Sequence, residues 1–255
     1  MLLAIDIGNT NTVFAVYKGE KFIDSWRLRS DAGHSADEYA AFLNELFSLA
    51  GVKWKSIKDV IVSSVVPEAN FGMTRFCEKY IGVKPVFVSK DMVGIAATID
   101  RPDDIGADRL VNAVAVNAHY DVPAIVVDFG TATTFDVIDG DGNYAGGVIA
   151  PGVNLSMTAL HQAASKLPKV SVGRPDNAIG KSTVFAMQSG VYWGYMGLID
   201  RILSEIKREI AVEVSADVKV IATGGLAPLF AKDNAAIDIV DENLTLKGLY
   251  LIAQK

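Results

Sequence analysis

The stretch LLAIDIGNTNTVFAVYKGEKF, residues 2–22, decides the fold, because its pattern returns as AIVVDFGTATTFDVIDGDGNY at residues 124–144. Each copy is an apolar strand that ends in Asp-x-Gly, followed by small hydroxyl or amide residues, a second strand and a glycine turn. Asp128 follows Asp6 at an offset of 122 residues (128 − 6), about half of the 255-residue chain. A duplicated unit of this kind is suited to holding phosphates between two similar halves.

The segments after each copy predict the same order of elements. In the first half, strands are expected at 2–5, 13–17, 21–28, 59–66 and 84–89, with helices after Ser35 and Pro67 and at 108–119, and a loop at 91–106. In the second half, strands are expected at 124–128, 133–138, 145–150 and 218–222, with helices at 156–167, 183–209 and 244–254. This order predicts an α/β fold of two duplicated ribonuclease H-like domains, each a mixed five-stranded sheet flanked by helices. We expect domains 1–117 and 118–255, with the ligand site in the crevice between them.

Composition narrows the class of protein. The net charge of −6 argues against a nucleic-acid partner held by phosphate neutralisation. The single cysteine, Cys77, excludes a disulfide framework and a cysteine zinc site, suits a cytoplasmic protein, and is expected to be a small core residue. The three histidines, His34, His119 and His161, lack metal-ligand spacing, although His161 could line a pocket. The uncharged stretch 183–199 is short and partly polar, so we expect a buried soluble helix and no membrane contact. The N-terminus runs directly into a predicted strand without a basic region or a cleavage site, so we expect no signal peptide.

The first turn predicts contacts with a nucleotide. Gly8 permits a turn that a Cβ would hinder, and consecutive N–H groups there can face phosphate oxygens. Asp6, at a strand end, could bind a hydrated Mg²⁺ carried by the nucleotide. The alternative is an ordinary polar hairpin turn, which is disfavoured because the same motif is repeated at residues 128–134. The predicted ATP-phosphate residues here are Asp6, Gly8, Asn9, Thr10, Asn11 and Thr12.

The second turn, at residues 128–134, predicts a further phosphate contact, and Asp128 could hold a cation there. Gly224 and Gly225 follow a predicted strand and would let a base or ribose approach the backbone, although a tight strand-to-helix turn explains them equally. Gly190, Gly194 and Gly197 each weaken a predicted helix, which favours close helix–helix approach, either in a dimer or within the chain.

The segment Gly106-Ala107-Asp108-Arg109 opens a predicted helix. Asp108 could accept a proton from a substrate hydroxyl, and Arg109 could grip a substrate carboxylate or the transferring phosphate. From the residues alone, an aspartate favoured by the helix dipole beside a surface arginine explains the segment more simply.

Taken together, the motifs resemble the type III pantothenate kinases, which belong to the acetate and sugar kinase/heat-shock/actin superfamily of actin-like ATPases. The resemblance covers essentially the whole length. It is carried by DIGNTNT at 6–12, SSVVP at 63–67, GADR at 106–109, DFGTATTFD at 128–136, GGVIAPG at 146–152, KLP at 166–168, TVFAMQSGVYWGYMGLID at 183–200 and TGGLA at 223–227.

The resemblance implies ATP-dependent phosphorylation of pantothenate to 4'-phosphopantothenate, the first step of coenzyme A biosynthesis, by a homodimer. It implies Asp108 as catalytic base, Asp128 as ligand of an activating K⁺ or NH₄⁺, and Thr183 as a substrate contact supplied across the dimer. It also implies ATP-phosphate contacts from 6–12 and Thr131, and substrate contacts from Gly106, Ala107, Asp108 and Arg109.

Two departures from the family pattern stand out. Ile99 occupies a place where the family often has a tyrosine against pantothenate, and residues 34–38 read HSADE where RTADE is common. Three alternatives remain: another small-molecule kinase acting on a sugar or carboxylate, an actin- or chaperone-like nucleotide switch, and a non-catalytic transcriptional accessory protein. The chain is short for the second, and its acidic charge disfavours the third.

Overall fold

The computed structural model describes residues 1–164, 167–213 and 217–255, and the main chain alone for residues 212 and 213. The strands are β1 Leu2–Ile7, β2 Asn11–Lys18, β3 Lys21–Arg29, β4 Asp59–Ser64, β5 Val86–Phe87, β6 Ala124–Phe129, β7 Ala132–Ile138, β8 Tyr144–Pro151, β9 Lys219–Thr223 and β10 Ile239–Val240. The α-helices are α1 Ala36–Leu49, α2 Asn70–Phe76, α3 Lys90–Val93, α4 Ala107–His119, α5 Val153–Ala163, α6 Thr183–Glu213, α7 Ala227–Ala231 and α8 Leu244–Ala253.

The chain forms two compact units. Unit 1 comprises Met1–Ala96, Asp100–Ala118 and Leu244–Lys255, and unit 2 comprises Ala97–Ile99 and His119–Asn243. The two units therefore exchange short pieces of chain: α8 packs on β1 and β4 of unit 1, and Ala97 pairs with Tyr144 at the edge of β8 in unit 2. The domain bounds 1–117 and 118–255 stay a prediction. The compact units differ from them in two segments, because residues 97–99 belong to unit 2 and residues 244–255 belong to unit 1.

Both units contain the same sheet. The strand order is β3-β2-β1-β4-β5 in unit 1 and, read in the equivalent direction, β8-β7-β6-β9-β10 in unit 2. In each sheet the first three strands form an antiparallel meander and the last two join in parallel. The predicted fold class of two mixed five-stranded sheets is confirmed.

The strand register shows one difference between the copies. Ile7 pairs with Thr12, which leaves residues 8–11 as the first turn. Phe129 pairs with Thr133, which leaves only residues 130–132 as the second turn. The second turn is thus one residue shorter, although both follow an aspartate at the same place in the sheet.

Each unit has its own apolar core. In unit 1, one sheet face packs against α1 and α2, and the core includes Leu3, Ile5, Phe14, Val62, Leu43, Phe47, Met73 and Phe76. In unit 2, the equivalent face packs against α6 and α7, and the core includes Ile125, Val127, Phe135, Tyr192, Ile199 and Phe230. Burial of these side chains provides the main driving force for folding.

The start of α1 shows how the sequence encodes a helix boundary. The Ser35 hydroxyl accepts the Glu38 N–H at 3.3 Å, and the Glu38 carboxylate accepts the Ser35 N–H at 2.8 Å. This reciprocal pair satisfies two donors that the first turn of a helix leaves open, as the predicted capping box requires.

Several predicted elements need correction. The strand expected at 84–89 is only Val86–Phe87, the loop expected at 91–106 contains most of α3, and the helix expected at 156–167 is Val153–Ala163. Ser165 and Lys166 lie outside the described residues. Both belong to that expected helix, and Lys166 is also the first residue of the KLP segment. The short elements β10 and α7 were not predicted, because a two-residue strand and a five-residue helix carry too little periodicity.

The expectation of a buried helix over 183–199 is also wrong in part. Helix α6 buries Met187, Tyr192 and Ile199, but Phe185 is 58% exposed and Trp193 is 41% exposed. Within the described ranges, no helix combines the length and apolar character that crossing a bilayer needs.

Candidate active site

The first turn is braced from within unit 1. The Gly8 N–H donates to the Asn11 carbonyl oxygen at 3.0 Å, and a Cβ at Gly8 would lie 3.2 Å from that oxygen. Ser30 supports the turn twice: its hydroxyl donates to the Gly8 carbonyl oxygen at 2.6 Å, and its N–H donates to the Thr10 carbonyl oxygen at 2.9 Å. Three hydrogen bonds within unit 1 therefore support the turn.

This arrangement refines the predicted phosphate donors. The Gly8 N–H is used inside the turn, so it is not among the donors that face outwards. Thr12 is buried and its hydroxyl lies 3.0 Å from that of Ser30. Asn9 and Thr10 are exposed and Asn11 is half-buried, so these three present the turn's accessible side chains.

The second turn, in unit 2, is also closed by a glycine N–H, but over one residue fewer. The Gly130 N–H donates to the Ala132 carbonyl oxygen at 3.0 Å, and Thr131 is exposed at the tip. Gly152 packs directly beneath: a Cβ there would lie 2.1 Å from the Thr131 carbonyl oxygen. Gly152 is not among the site residues that the sequence predicts, because this support depends on contact between distant segments.

Asp128 lies among oxygen atoms at the carboxyl end of β6. It is half-buried, and it pairs in register with Thr134 on one side and Thr223 on the other. Gly224 has a φ of +87°, and a Cβ there would lie 2.7 Å from both the Asp128 Oδ1 and the Phe129 carbonyl oxygen. Only glycine is compatible with this close approach. Oxygen donors of this kind are the ligands that hard cations prefer.

Asp108 lies in the first turn of α4. The Asp108 Oδ1 accepts the Arg109 N–H at 2.9 Å, and a Cβ at Gly106 would lie 2.6 Å from the same oxygen. Both Asp108 and Arg109 are half-buried. Asp108 is thus an N-terminal aspartate of the kind that the helix dipole favours.

The segment that opens α4 lies close to the end of β4, the parallel neighbour of the strand that carries Asp6. Asp6 pairs in register with Ser63 on β4, and the Val65 N–H donates to the Ile7 carbonyl oxygen at 3.0 Å, which extends the ladder. Ser63 and Val65 share one sheet face because side chains alternate along a strand. Gly106 packs on Val65, since a Cβ there would lie 3.7 Å from its Cγ1. Gly106, two residues before Asp108, therefore lies beside the end of β4.

The remaining predicted residues have the following surroundings. Ile99 packs beside Gly146, where a Cβ would lie 3.5 Å from its Cγ2. Thr183 is exposed at the start of α6. The His161 Nδ1 lies 2.6 Å from the Leu167 carbonyl oxygen, so this ring contacts the main chain at Leu167. Gly225 is exposed beside Gly224.

Two observations bear on metals and nucleophiles. Among the residues that the structure describes, no group of three or more His, Cys, Asp or Glu side chains is placed to hold a metal ion. Cys77 is fully buried, and burial raises the pKa of its thiol to about 12, which excludes it as a nucleophile.

Comparison with known proteins identifies the family. The sequence model of type III pantothenate kinase matches residues 2–205. This chain belongs to the type III pantothenate kinase family. It is 50% identical over 257 residues to the type III pantothenate kinase of Paramagnetospirillum magneticum, covering 100% of this chain and 97% of the relative. It is 51% identical over 257 residues to that of Rhodospirillum rubrum, covering 100% and 98%.

Solved structures support the fold of this type III pantothenate kinase family member. A Campylobacter jejuni structure named for the Baf family of transcriptional activators has a TM-score of 0.60 at 21% identity, covering 99% of this chain and 97% of that one. A Sinorhizobium meliloti structure named as a 2-dehydro-3-deoxygalactonokinase has a TM-score of 0.61 at 13% identity, covering 100% and 96%. At these identities the likeness concerns the fold alone.

Proposed function

We propose that this chain transfers the γ-phosphate of ATP to the primary hydroxyl of pantothenate, giving 4'-phosphopantothenate, the first step of coenzyme A biosynthesis. Family membership, with relatives matched over the full length, carries the activity. The contact of Gly106 with Val65, one residue beyond β4, supports the assignment of Asp108 and Asp6 to one site. We place the reaction in the cytoplasm, where a free and buried Cys77 stays reduced.

Phosphoryl transfer depends mostly on positioning of the substrates and stabilisation of charge, and different residues provide each of these. The first turn, from Asp6 to Thr12, and Thr131 of the second turn contact the phosphates of ATP, while Gly224 and Gly225 leave room for its nucleoside. Asp6 holds the hydrated Mg²⁺ of the nucleotide, which when bound neutralises phosphate charge. Gly106, Ala107, Arg109 and Thr183 contact pantothenate.

Asp108 accepts the proton of the attacking hydroxyl. The Asp108→Asn variant keeps the shape of the side chain and removes the base, so kcat should fall about 10²-fold or more. The dissociation constant of ATP, measured by calorimetry, should stay unchanged. Asp104→Asn, on the exposed turn just before α4, is the matched control and should keep wild-type turnover.

A coupled assay with pantothenate and a panel of other hydroxyl compounds tests the substrate. Turnover of pantothenate that depends on Asp108 supports the proposal. Turnover of a sugar or hydroxy acid in its place would assign the chain to another kinase activity, and wild-type rates in Asp108→Asn would remove the proposed base.

An activating monovalent cation, K⁺ or NH₄⁺, is part of the proposal. Its support is the cluster of oxygen atoms at Asp128 and Phe129 around Gly224. We expect turnover in potassium or ammonium salts to exceed that in sodium or lithium salts at equal ionic strength. Asp128→Asn should weaken this preference, and equal rates in all four salts would contradict it.

We also propose a homodimer through α6. Gly190, Gly194 and Gly197 are exposed, and a Cβ at any of them would meet no described atom within 4 Å. Among the described residues, therefore, no close contact within the chain accounts for these glycines. Glycine destabilises a helix interior, and close approach of a helix from a partner subunit would offset that cost. Gly194→Glu should convert a dimer to a monomer in sedimentation velocity, whereas Gly140→Ala should not.

A further inference from the structure

Ser63 is a buried residue without an evident structural task. It is 0% exposed, and its hydroxyl has no hydrogen-bond partner in the described part of the chain. A buried hydroxyl that is left unpaired destabilises a folded protein. The next residue, Ser64, shows the ordinary situation, since its hydroxyl donates to the Asn70 Oδ1 at 2.7 Å.

The place of Ser63 in the sheet connects it with the nucleotide turn. Ser63 on β4 is the register partner of Asp6 on β1. Partners in neighbouring strands point to the same face of the sheet, within reach of one another's side chains. The second copy repeats the arrangement: Thr223 on β9 is buried and is the register partner of Asp128. In both units, therefore, a buried hydroxyl lies beside the aspartate that ends the first strand.

We propose that Ser63 is a positioning residue for Asp6. When the hydrated cation of Mg·ATP draws one carboxylate oxygen of Asp6 outwards, the other oxygen turns to accept a hydrogen bond from the Ser63 hydroxyl. The bond fixes the carboxylate in the orientation that the cation needs. Such a bond forms only in the loaded state, which explains why a polar group is kept unpaired in the ligand-free protein. This inference rests on the proposed role of Asp6.

If Ser63 positions Asp6, its replacement changes the affinity for Mg·ATP without lowering the stability of the ligand-free protein. A serine with a purely structural role would change both together. Ser63→Ala should leave the melting temperature of the ligand-free protein unchanged or raise it by a few degrees, because an unpaired buried hydroxyl is removed. The same variant should bind the Mg²⁺ complex of a non-hydrolysable ATP analogue about tenfold more weakly, since a hydrogen bond to a charged group is lost. Binding of the metal-free analogue in EDTA should not change.

Two variants complete the experiment, read by calorimetry and thermal unfolding. Ser63→Thr keeps the hydroxyl, as Thr223 does in the other copy, and should restore most of the affinity for the Mg²⁺ complex. Ser64→Ala should lower the melting temperature, because it breaks an existing bond, without altering the dependence on Mg²⁺.

The outcomes are distinct. Wild-type affinity for the Mg²⁺ complex in Ser63→Ala, equal weakening of metal-free and metal-bound analogue, or a lowered ligand-free melting temperature would each overturn the role of Ser63. These measurements contain no pantothenate, so a failure of pantothenate turnover would refute the proposed function without touching them. A wild-type protein that does not bind the Mg²⁺ complex would overturn both.

Discussion

The packing of Gly152 under the second turn makes a strong steric prediction. A Cβ at Gly152 would lie 2.1 Å from the Thr131 carbonyl oxygen and 2.9 Å from that of Gly130. The backbone of Gly152 is extended, with φ −73° and ψ 155°, so alanine is not strained by its own conformation. Gly152→Ala therefore acts only by pushing on the turn.

The size of the effect follows from the contact. Non-bonded Cβ atoms lie 3.0 Å or more from their neighbours, so the second turn must move by about 1 Å. A misplacement of this size costs about 10²-fold in rate, or roughly 2.7 kcal/mol of transition-state stabilisation. Overpacking a tight site costs about 1–3 kcal/mol of folding free energy, so the protein should stay folded with a lower melting temperature.

The assay is steady-state turnover with ATP varied at saturating pantothenate, together with thermal unfolding. Gly140→Ala is the control, because a Cβ there meets no described atom within 4 Å and the residue lies in the same unit. A folded Gly152→Ala with wild-type kcat/KM for ATP would refute the reasoning, as it would show that the position of Thr131 does not matter for the reaction.

Three further predictions concern other parts of the chain. Gly106→Ala places a Cβ 2.6 Å from the Asp108 Oδ1, so kcat should fall about tenfold while calorimetric ATP affinity stays unchanged. Cys77, with its thiol pKa raised to about 12, should react with a thiol-specific reagent at pH 8 only when guanidinium unfolds the protein. Ser35→Ala removes the cap of α1 and should cost about 1 kcal/mol, lowering the melting temperature by roughly 2–4 °C, whereas Ser48→Ala on the exposed face of that helix should not.

Each of these has a plain contrary result. Unchanged kcat in Gly106→Ala would show that the Asp108 carboxylate is free to shift without penalty. Labelling of native Cys77 within minutes would contradict its burial. Equal melting temperatures for the Ser35 and Ser48 variants would show that the hydrogen bonds of the cap contribute nothing to stability.

The sequence predicts the two sheets because their information is local and repeated. Apolar runs ending at Asp6 and Asp128, each followed by a glycine turn and a second strand, encode the hairpins directly. The helix boundary at Ser35 is likewise written in four consecutive residues. Such signals need no knowledge of distant parts of the chain.

Other features depend on contacts between remote segments, and no local pattern shows them. Ser30 braces the first turn from 22 residues away in sequence, and its own neighbourhood looks like an ordinary strand end. Gly152 is recognisable as a support only once β8 returns beside the second turn. Ser63 reads as one polar residue in an apolar strand, and its place beside Asp6 follows from the parallel register alone.

The exchange of α8 and the 97–99 segment between the units has a consequence for dissecting the enzyme. A cut at residue 118 would produce an amino-terminal fragment whose strands β1 and β4 have lost the helix that shields them, and a carboxy-terminal fragment whose β8 has an open edge. We expect neither fragment to fold stably when it is expressed separately. A fragment in which Leu244–Lys255 is joined ahead of residues 1–118 would keep all pieces of the first unit together, which makes it the better starting point for studying one copy of the duplication by itself.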